Sequence, residues 1–259
     1  LILPNQMRGT MHALHDEVMA LDYMDTAEAV RIADAAVVLG GDGTMLRIAR
    51  AAAQNELPLL GINVGHVGFM TELEPAELDK MQALLEGDYQ LDSRMMLHVE
   101  VERHGRRVYE NDALNDIVIA KGTAFRVVRV GISADGEEVT RFNGDGVIAA
   151  TPTGSTAYSM SAGGPIVEPS ARNLLITPIC AHAMLTKTIV VSPERVISVR
   201  IGKIGRHNAY LSVDGGRAFR LNTGDVITTK TAQKTTKLVR LKQTSFFDIL
   251  NKKFIDRQR

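Results

Sequence analysis

The 259-residue chain holds one cysteine, no tryptophan, and only five tyrosines and seven phenylalanines. A single thiol, Cys180, cannot close an intramolecular disulfide, and a paired-cysteine metal site cannot form. Cys180 therefore reads as a small buried hydrophobe. An excess of one charge is also missing: Lys plus Arg and Asp plus Glu both total 30, for a formal net charge of zero. That balance argues against a general nucleic-acid binder or an acidic tail. It leaves room for a local basic cluster around a phosphorylated small molecule. No apolar run approaches the ~18 residues of a membrane-spanning helix, and the longest, Leu174 to Leu185, is broken by Pro178 and His182. The opening LILPNQMRGTM carries no basic stretch ahead of a long apolar one, so no signal peptide is expected. The first residue is Leu1 rather than Met, which leaves the native start open. A cytoplasmic protein without a membrane partner is the expectation.

What is present is an ordinary globular composition, 45% apolar, in a chain long enough for one or two domains. The pattern changes near residue 94. Before it, short apolar runs alternate with helical segments. Val37-Val38-Leu39 reads as a buried strand stopped by two glycines, and Thr44 to Gln54 as a helix with Met45, Leu46, Ile48, Ala49 and Ala52 at helical spacing. Leu57 to Ile62 reads as the next strand, and Pro75 to Gly87 as a helix stopped by its glycine. This alternation predicts a parallel sheet flanked by helices. The usual first strand and helix look incomplete in residues 1 to 30.

After residue 94 the period is two. Leu97, Val99 and Val101 alternate with His98, Glu100 and Glu102, and Val128, Val130 and Ile132 form another such run. His104-Gly105 and Asp135-Gly136 have the composition of hairpin turns. Further short strands are expected at Ile197 to Ile201, Tyr210 to Val213 and Val226-Ile227, giving an antiparallel sandwich or stacked layers. The predicted organisation is an α/β domain over 1–93, completed by 236–259, and a β-rich domain over 94–235, with an active site in the cleft between them. The tail from Phe246 to Phe254 reads as a docking amphipathic helix.

Three segments carry chemistry. In Gly40-Gly41-Asp42-Gly43-Thr44 a strand enters, glycines turn, and a helix starts. Amides at such a helix start attract phosphate, and glycines let its oxygens approach the backbone. Neither the Walker lysine nor a Gly-x-Gly-x-x-Gly spacing is found in this stretch. A carboxylate beside phosphate repels it unless it has a task, such as accepting a proton from an attacking hydroxyl. Taken alone, Asp42 is explained equally well as a turn residue or helix cap. The second segment is GDGVIAATPTGSTAYSMSAGGP, residues 144 to 165, in which small and hydroxyl-bearing residues could line a pocket for a flat ring, with Tyr158 to cap it. A Ser/Thr-rich surface loop is the plainer alternative. The third is Asn115-Asp116, set against a strand; these could hold ribose hydroxyls, although a strand-entry turn explains the pair by itself.

Together with Gly61-Ile62-Asn63-Val64-Gly65-His66-Val67-Gly68-Phe69, these segments closely resemble the NAD kinase family, over nearly the whole chain from about residue 30 to Phe247-Asp248-Ile249-Leu250. Thr177-Pro178-Ile179-Cys180-Ala181-His182 matches a further family segment. The resemblance implies transfer of the ATP γ-phosphoryl to the 2′-hydroxyl of the adenosine ribose of NAD. It implies Asp42 as general base, Gly43 beside that ribose, and Gly40, Gly41 and Thr44 at the ATP phosphates. Arg47 and Arg126 match basic positions that contact the dinucleotide. Asn115 and Asp116 would bind ribose hydroxyls, Asp145 would lie near the nicotinamide end, and Thr156, Ala157, Tyr158 and Ser161 would enclose adenine. Mg²⁺ or another divalent cation would arrive with ATP rather than in a protein cage, and a homo-oligomer, dimer or tetramer, is implied. Asp116 is often Glu in the family, Asn143 replaces a basic residue of some members, and Ala181 a frequent proline. The rival readings are another kinase with this glycine turn, acting on a lipid or sugar, and a non-catalytic dinucleotide sensor.

Overall fold

In the computed structural model, residues 1–7, 21–65, 67–122, 126–182, 187–203 and 208–256 are described; residues 8–20 and His66 of the GINVGHVGF segment lie outside them. The chain divides into two compact units, Leu1–Ser93 with Thr236–Arg259, and Arg94–Thr235.

The first unit opens with β1 (Ile2–Pro4) and β2 (Asp22–Met24), paired in parallel, then α1 (Thr26–Ile32). The first strand is short, and residues 8–20, which join β1 to β2 and on which the expectation of an incomplete first helix falls, lie outside the described residues. Next come β3 (Ala36–Leu39), α2 (Asp42–Gln54), β4 (Leu59–Ile62), α3 (Met81–Glu86) and β5 (Gln90–Arg94). The final strand of the chain, β18 (Thr236–Arg240), returns to a four-stranded sheet of order β3-β4-β18-β5, parallel to β4. Every residue of β4 is buried, because the strand lies inside the sheet and is covered. Leu60, Ile62, Leu73 and Val239 form the core, with Met81 and Leu84 of α3 against it. Each such side chain contributes about 1.5–3 kcal/mol relative to exposure.

The return strand is pinned electrostatically. Glu72, 8% exposed, accepts from the Leu241 and Lys242 amides at 2.9 and 2.7 Å and from Arg240 at 3.1 Å. Arg240 also reaches Asp92 at 3.0 Å. The helix expected over Pro75 to Gly87 begins instead as a 3₁₀ turn, Pro75–Lys80, and becomes α only at Met81. The α backbone is broken at Glu77, whose φ of −115° is not helical. Gly87 closes α3 at φ 77°, the left-handed cap that suits glycine. The tail helix, α5 (Phe246–Asp256), sets Phe246 against Phe69 with ring centroids 6.0 Å apart.

The second unit is a sandwich of two antiparallel six-stranded sheets. One has the order β10 (Glu137–Gly144), β9 (Val128–Ala134), β14 (Ile197–Ile201), β17 (Val226–Thr231), β6 (Leu97–Arg103), β7 (Arg106–Ala113). The other runs β13 (Ile189–Val191), β12 (Leu174–Ile179), β11 (Gly146–Ala150), β8 (Asp116–Lys121), β15 (Ala209–Val213), β16 (Phe219–Leu221). The period-two residues Leu97, Val99, Val101, Val130, Ile132 and Val199 meet Ile117, Ile119, Val147 and Leu211 in one core between the sheets. The second sheet is buried on its other face too. Ile148, Ala150 and Leu175 point away from the main core and are covered by Ala162 and Val167. Hence β11 is buried throughout, and the hydroxyl-rich segment that follows it folds back over its own strand. His104-Gly105 and Asp135-Gly136 both have φ positive at two successive residues, as tight two-residue hairpins require. Among the described residues no helix is long and apolar enough to cross a membrane.

Candidate active site

In the first unit the apolar strand β3 runs into Gly40, and α2 begins two residues later. Gly41 is the N-cap, its carbonyl accepting from the Thr44 and Met45 amides at 2.9 and 3.2 Å. Asp42 is the first residue of the helix, but its side chain does not cap it. The carboxylate turns to a neighbouring loop, where Oδ2 accepts from the Phe69 amide and Oδ1 from the Met70 amide, each at 3.0 Å. Gly68 makes room for it, because a Cβ there would stand 2.4 Å from Asp42 Oδ1. Asp42 thus does not cap its own helix; it ties the Phe69–Met70 loop to the start of α2. A carboxylate offers about four lone-pair sites; two are taken by amides, and the rest are free to accept from another group.

Around this carboxylate the backbone is bare. A Cβ added at Gly41 or Gly43 would meet nothing within 4 Å. At Gly41, with an extended backbone and negative φ, neither strain nor crowding calls for glycine. The open space is of the kind that lets a phosphate reach the helix-start amides. Gly40 differs: at φ 152° its α-hydrogen faces the Thr44 side chain, so Thr44 helps to close the turn. Arg47 is exposed, about 7.5 Å further along the α2 axis than Asp42 and rotated about 140° from it. A residue the sequence reading did not single out joins this site. Lys253 of α5 places Nζ 3.6 Å from Asp42 Oδ2 and 4.2 Å from the centroid of the Phe69 ring.

In the second unit, Asn115 precedes β8 and Asp116 opens it; they are 8% and 5% exposed. Asn115 Oδ1 is buried and finds no protein partner. Asp116 accepts from the Tyr158 amide, which ties the pair to the start of α4 (Tyr158–Ser161). Burial raises the Asp116 carboxyl to about 7, with the Asp214 carboxylate adding to the effect and the Tyr158 amide opposing it. Asp214 was not anticipated. It accepts from three successive amides, Leu114, Asn115 and Asp116, at 2.7, 2.8 and 3.0 Å. Its signal was available, since Asp214-Gly215 is the same dipeptide as Asp135-Gly136 and likewise turns a hairpin, with φ 49° and 67°.

The hydroxyls of Thr151 to Ser161 divide in two. Thr151 donates to the Leu114 carbonyl at 2.6 Å, Thr153 accepts from Arg94 at 3.2 Å, and Ser155 bridges the Val167 backbone. Ser159 meets Thr177 at 2.9 Å. These four side chains are buried and their hydroxyls are taken by protein partners, Ser159 by Thr177 of β12, so they are not open to a ligand as the sequence suggested. Thr156 and Ala157 are half-buried, while Tyr158, 46% exposed, and Ser161 face solvent. Gly154 lies so close to the Asn115 carbonyl that a Cβ would come within 2.0 Å of it. The Asn115-Asp116 turn and the 151–161 segment are therefore one built feature.

Asp145 sits elsewhere in the unit. It pairs with Lys121, a third residue missed in the sequence, across the β8–β11 register. Along those strands it lies about 17 Å from Asp116. Arg126 is exposed and follows residues outside the described set. Asn143 takes the Arg129 Nε–H at 3.1 Å, so a basic residue stands beside it in place of the one expected at that position. Cys180 is a correction: it is exposed at the end of β12 with φ 45°. Its carbonyl and its neighbours crowd Gly144, so the chain turns outward there. Among the described residues the one histidine–carboxylate cluster able to gather on an ion is His98, Glu100 and Glu110, far from the glycine turn in sequence, with Arg107 already 2.9 Å from both glutamates.

The chain matches two family models, the ATP-NAD kinase N-terminal domain over residues 7–89 and the ATP-NAD kinase C-terminal domain over 114–241. It is 45% identical over 225 residues to an NAD kinase of Symbiobacterium thermophilum, covering 85% of this chain and 78% of that one. It is 38% identical over 247 residues to an NAD kinase of Ruminiclostridium cellulolyticum, covering 94% and 86%. Its fold resembles that of yeast NADH kinase complexed with NADH, with TM-score 0.87, 28% identity, and coverage of 97% of this chain and 76% of that one. An NAD kinase from Archaeoglobus fulgidus in complex with ATP gives TM-score 0.74 at 28% identity, covering 98% and 97%. With both units matched and relatives this similar over most of their length, the chain belongs to the ATP-NAD kinase family.

Proposed function

We infer that this chain is an NAD kinase, transferring the γ-phosphoryl of ATP to the 2′-hydroxyl of the adenosine ribose of NAD to give NADP and ADP. The observation that carries the roles of individual residues is the geometry of Asp42. Its carboxylate is held away from its own helix by two amides, keeps lone pairs to spare, and stands beside glycines that face open space. Phosphoryl transfer needs positioning, charge neutralisation and an oriented nucleophile more than covalent help. In the proposed step the 2′-hydroxyl oxygen bonds the γ-phosphorus as the bond to the β–γ bridging oxygen breaks. The hydroxyl proton passes to Asp42, and ADP leaves with the bond's electron pair. Gly40, Gly41, Gly43 and Thr44 supply the backbone turn for the phosphates, and Arg47 adds charge nearby.

Asn115 and Asp116 are proposed to accept the dinucleotide's ribose hydroxyls; the orphaned Asn115 Oδ1 supports a polar ligand there. Thr156, Ala157, Tyr158 and Ser161, the less buried part of their segment, are proposed at the adenine, with Arg126 and Asp145 as further contacts. The divalent cation is proposed to travel with ATP. Asp42 already receives two amides and faces Lys253, a donor set suited to holding a base rather than to ligating an ion. A homo-oligomer and a cytoplasmic location are proposed on the family likeness. The test is incubation with ATP, a magnesium salt, and either NAD or diacylglycerol. NADP formed from NAD alone is the expected result. NAD binding without turnover would favour the sensor reading, and phosphorylated lipid the other kinase.

A further inference from the structure

The backbone amides of the Asn115-Asp116 pair find their acceptor outside the turn. The two residues lie at a strand entry with their backbone amides turned inward, where unpaired donors are costly. One side chain satisfies all of them. Asp214, on the hairpin between β15 and β16, receives the Leu114 amide on Oδ2 and the Asn115 and Asp116 amides on Oδ1. The contact is reciprocal, since the Asp214 amide donates to the Asp116 carbonyl at 3.0 Å. Asp214 is also the charge that faces Asp116. β11, paired with Asp116 through Ala150, carries no titratable side chain, and neither does the Thr151 to Ser161 segment apart from Tyr158. Tyr210 of β15 pairs opposite Ala120, at the far end of β8. Tyr158 presents its amide to the Asp116 carboxylate.

We propose that Asp214 is a positioning residue for the dinucleotide: its carboxylate clamps the Leu114 to Asp116 turn and sets the charge against which Asp116 meets a ribose hydroxyl. This rests on the reading that Asn115 and Asp116 hold NAD. The clamp orients both side chains, because three consecutive amides fixed to one carboxylate leave the turn a single conformation. The charge opposes ionisation of Asp116, whose carboxyl lies at about 7 through burial first and Asp214 second. NAD capture through an accepting Asp116 therefore improves as pH rises through neutrality.

The test compares wild type, Asp214→Asn and Asp214→Glu across about pH 5.5 to 9, with kcat and separate KM values for NAD and ATP. Asp214→Asn turns an NH₂ group toward one of the three amides and removes the charge. Its KM for NAD is expected to rise about tenfold or more while KM for ATP stays within about twofold. The acid limb of kcat/KM for NAD is expected to move to lower pH, since the like charge is gone. Asp214→Glu keeps the charge but displaces the acceptor, so KM for NAD rises and the limb stays. If Asp214→Asn does not fold, Asp214→Glu carries the test. An unchanged KM for NAD with an unmoved limb overturns the proposal, as does an equal rise in both KM values. A wild type that forms no NADP fails the kinase reading instead; the same variants then report through NAD affinity by calorimetry.

Discussion

Lys253 Nζ lies 3.6 Å from Asp42 Oδ2, although 211 positions separate the two residues in the chain. The same ammonium covers the Phe69 ring at 4.2 Å, and the Phe69 amide donates to Asp42. The last helix of the chain thus closes over the loop that holds the carboxylate.

A first prediction follows from this contact. Lys253→Met keeps the apolar stem on Phe69 and removes the charge. Because the pair is partly exposed, stability is expected to change by less than about 1 kcal/mol. Turnover is expected to fall about tenfold through loss of the cation beside the Asp42 carboxylate, with Lys253→Arg restoring part of it. Steady-state kinetics and thermal melts on the three proteins check this; equal kcat for Lys253→Met and wild type would remove Lys253 from the site.

The glycines separate ligand space from packing space. Gly43 is exposed in the first turn of α2, and a Cβ there meets nothing within 4 Å. Gly43→Ala is expected to stabilise the chain by up to about 1 kcal/mol, the helix-propensity gain, yet to raise KM for the substrates. Gly68→Ala drives a methyl into Asp42 and is expected to cost about 1–3 kcal/mol as well as activity. Denaturant unfolding beside kinetics tests the contrast; a Gly43→Ala enzyme with wild-type KM values would mean that no ligand uses that space.

Asp116 links stability to pH. Its folded carboxyl lies at about 7, above its unfolded value of 3.8. An acid whose folded pKa is raised holds its proton more tightly when folded. Stability is therefore lost as pH climbs from about 4 to 7 and stays lost above. Asp116→Asn abolishes that loss, so at alkaline pH the variant is expected to be more stable than wild type by on the order of a few kcal/mol, while binding NAD more weakly. Melting curves at acid and alkaline pH measure the difference; a variant no more stable than wild type under alkaline conditions would contradict it.

Period and punctuation carried much of the architecture. The alternation of Leu97, Val99 and Val101 and the dipeptides His104-Gly105 and Asp135-Gly136 locate strands and hairpins directly, since side-chain direction and positive φ are local properties. The glycine turn and Asn115-Asp116 were equally visible. What stayed hidden depends on which distant strands become neighbours. Asp214 clamps a turn about 100 residues upstream, Lys121 meets Asp145 only through the β8–β11 register, and Lys253 reaches Asp42 from the tail. The hydroxyls of Thr151, Thr153, Ser155 and Ser159 were misjudged for the same reason. Composition shows polar groups but not that a folded-back segment consumes them to cover a sheet face. Cys180 broke the habit of its residue type because the chain leaves the sheet there in a left-handed conformation.

The role of Asp42 is tested most directly by measuring NADP formation from ATP and NAD with Asp42→Asn. The amide is nearly isosteric but turns its NH₂ toward one of the Phe69 and Met70 amides, so the melting temperature is expected to fall modestly while circular dichroism keeps the wild-type fold. Loss of the proton acceptor is expected to reduce turnover about 10²- to 10⁴-fold. A folded Asp42→Asn enzyme that makes NADP at close to the wild-type rate would contradict the assignment of Asp42 as the base.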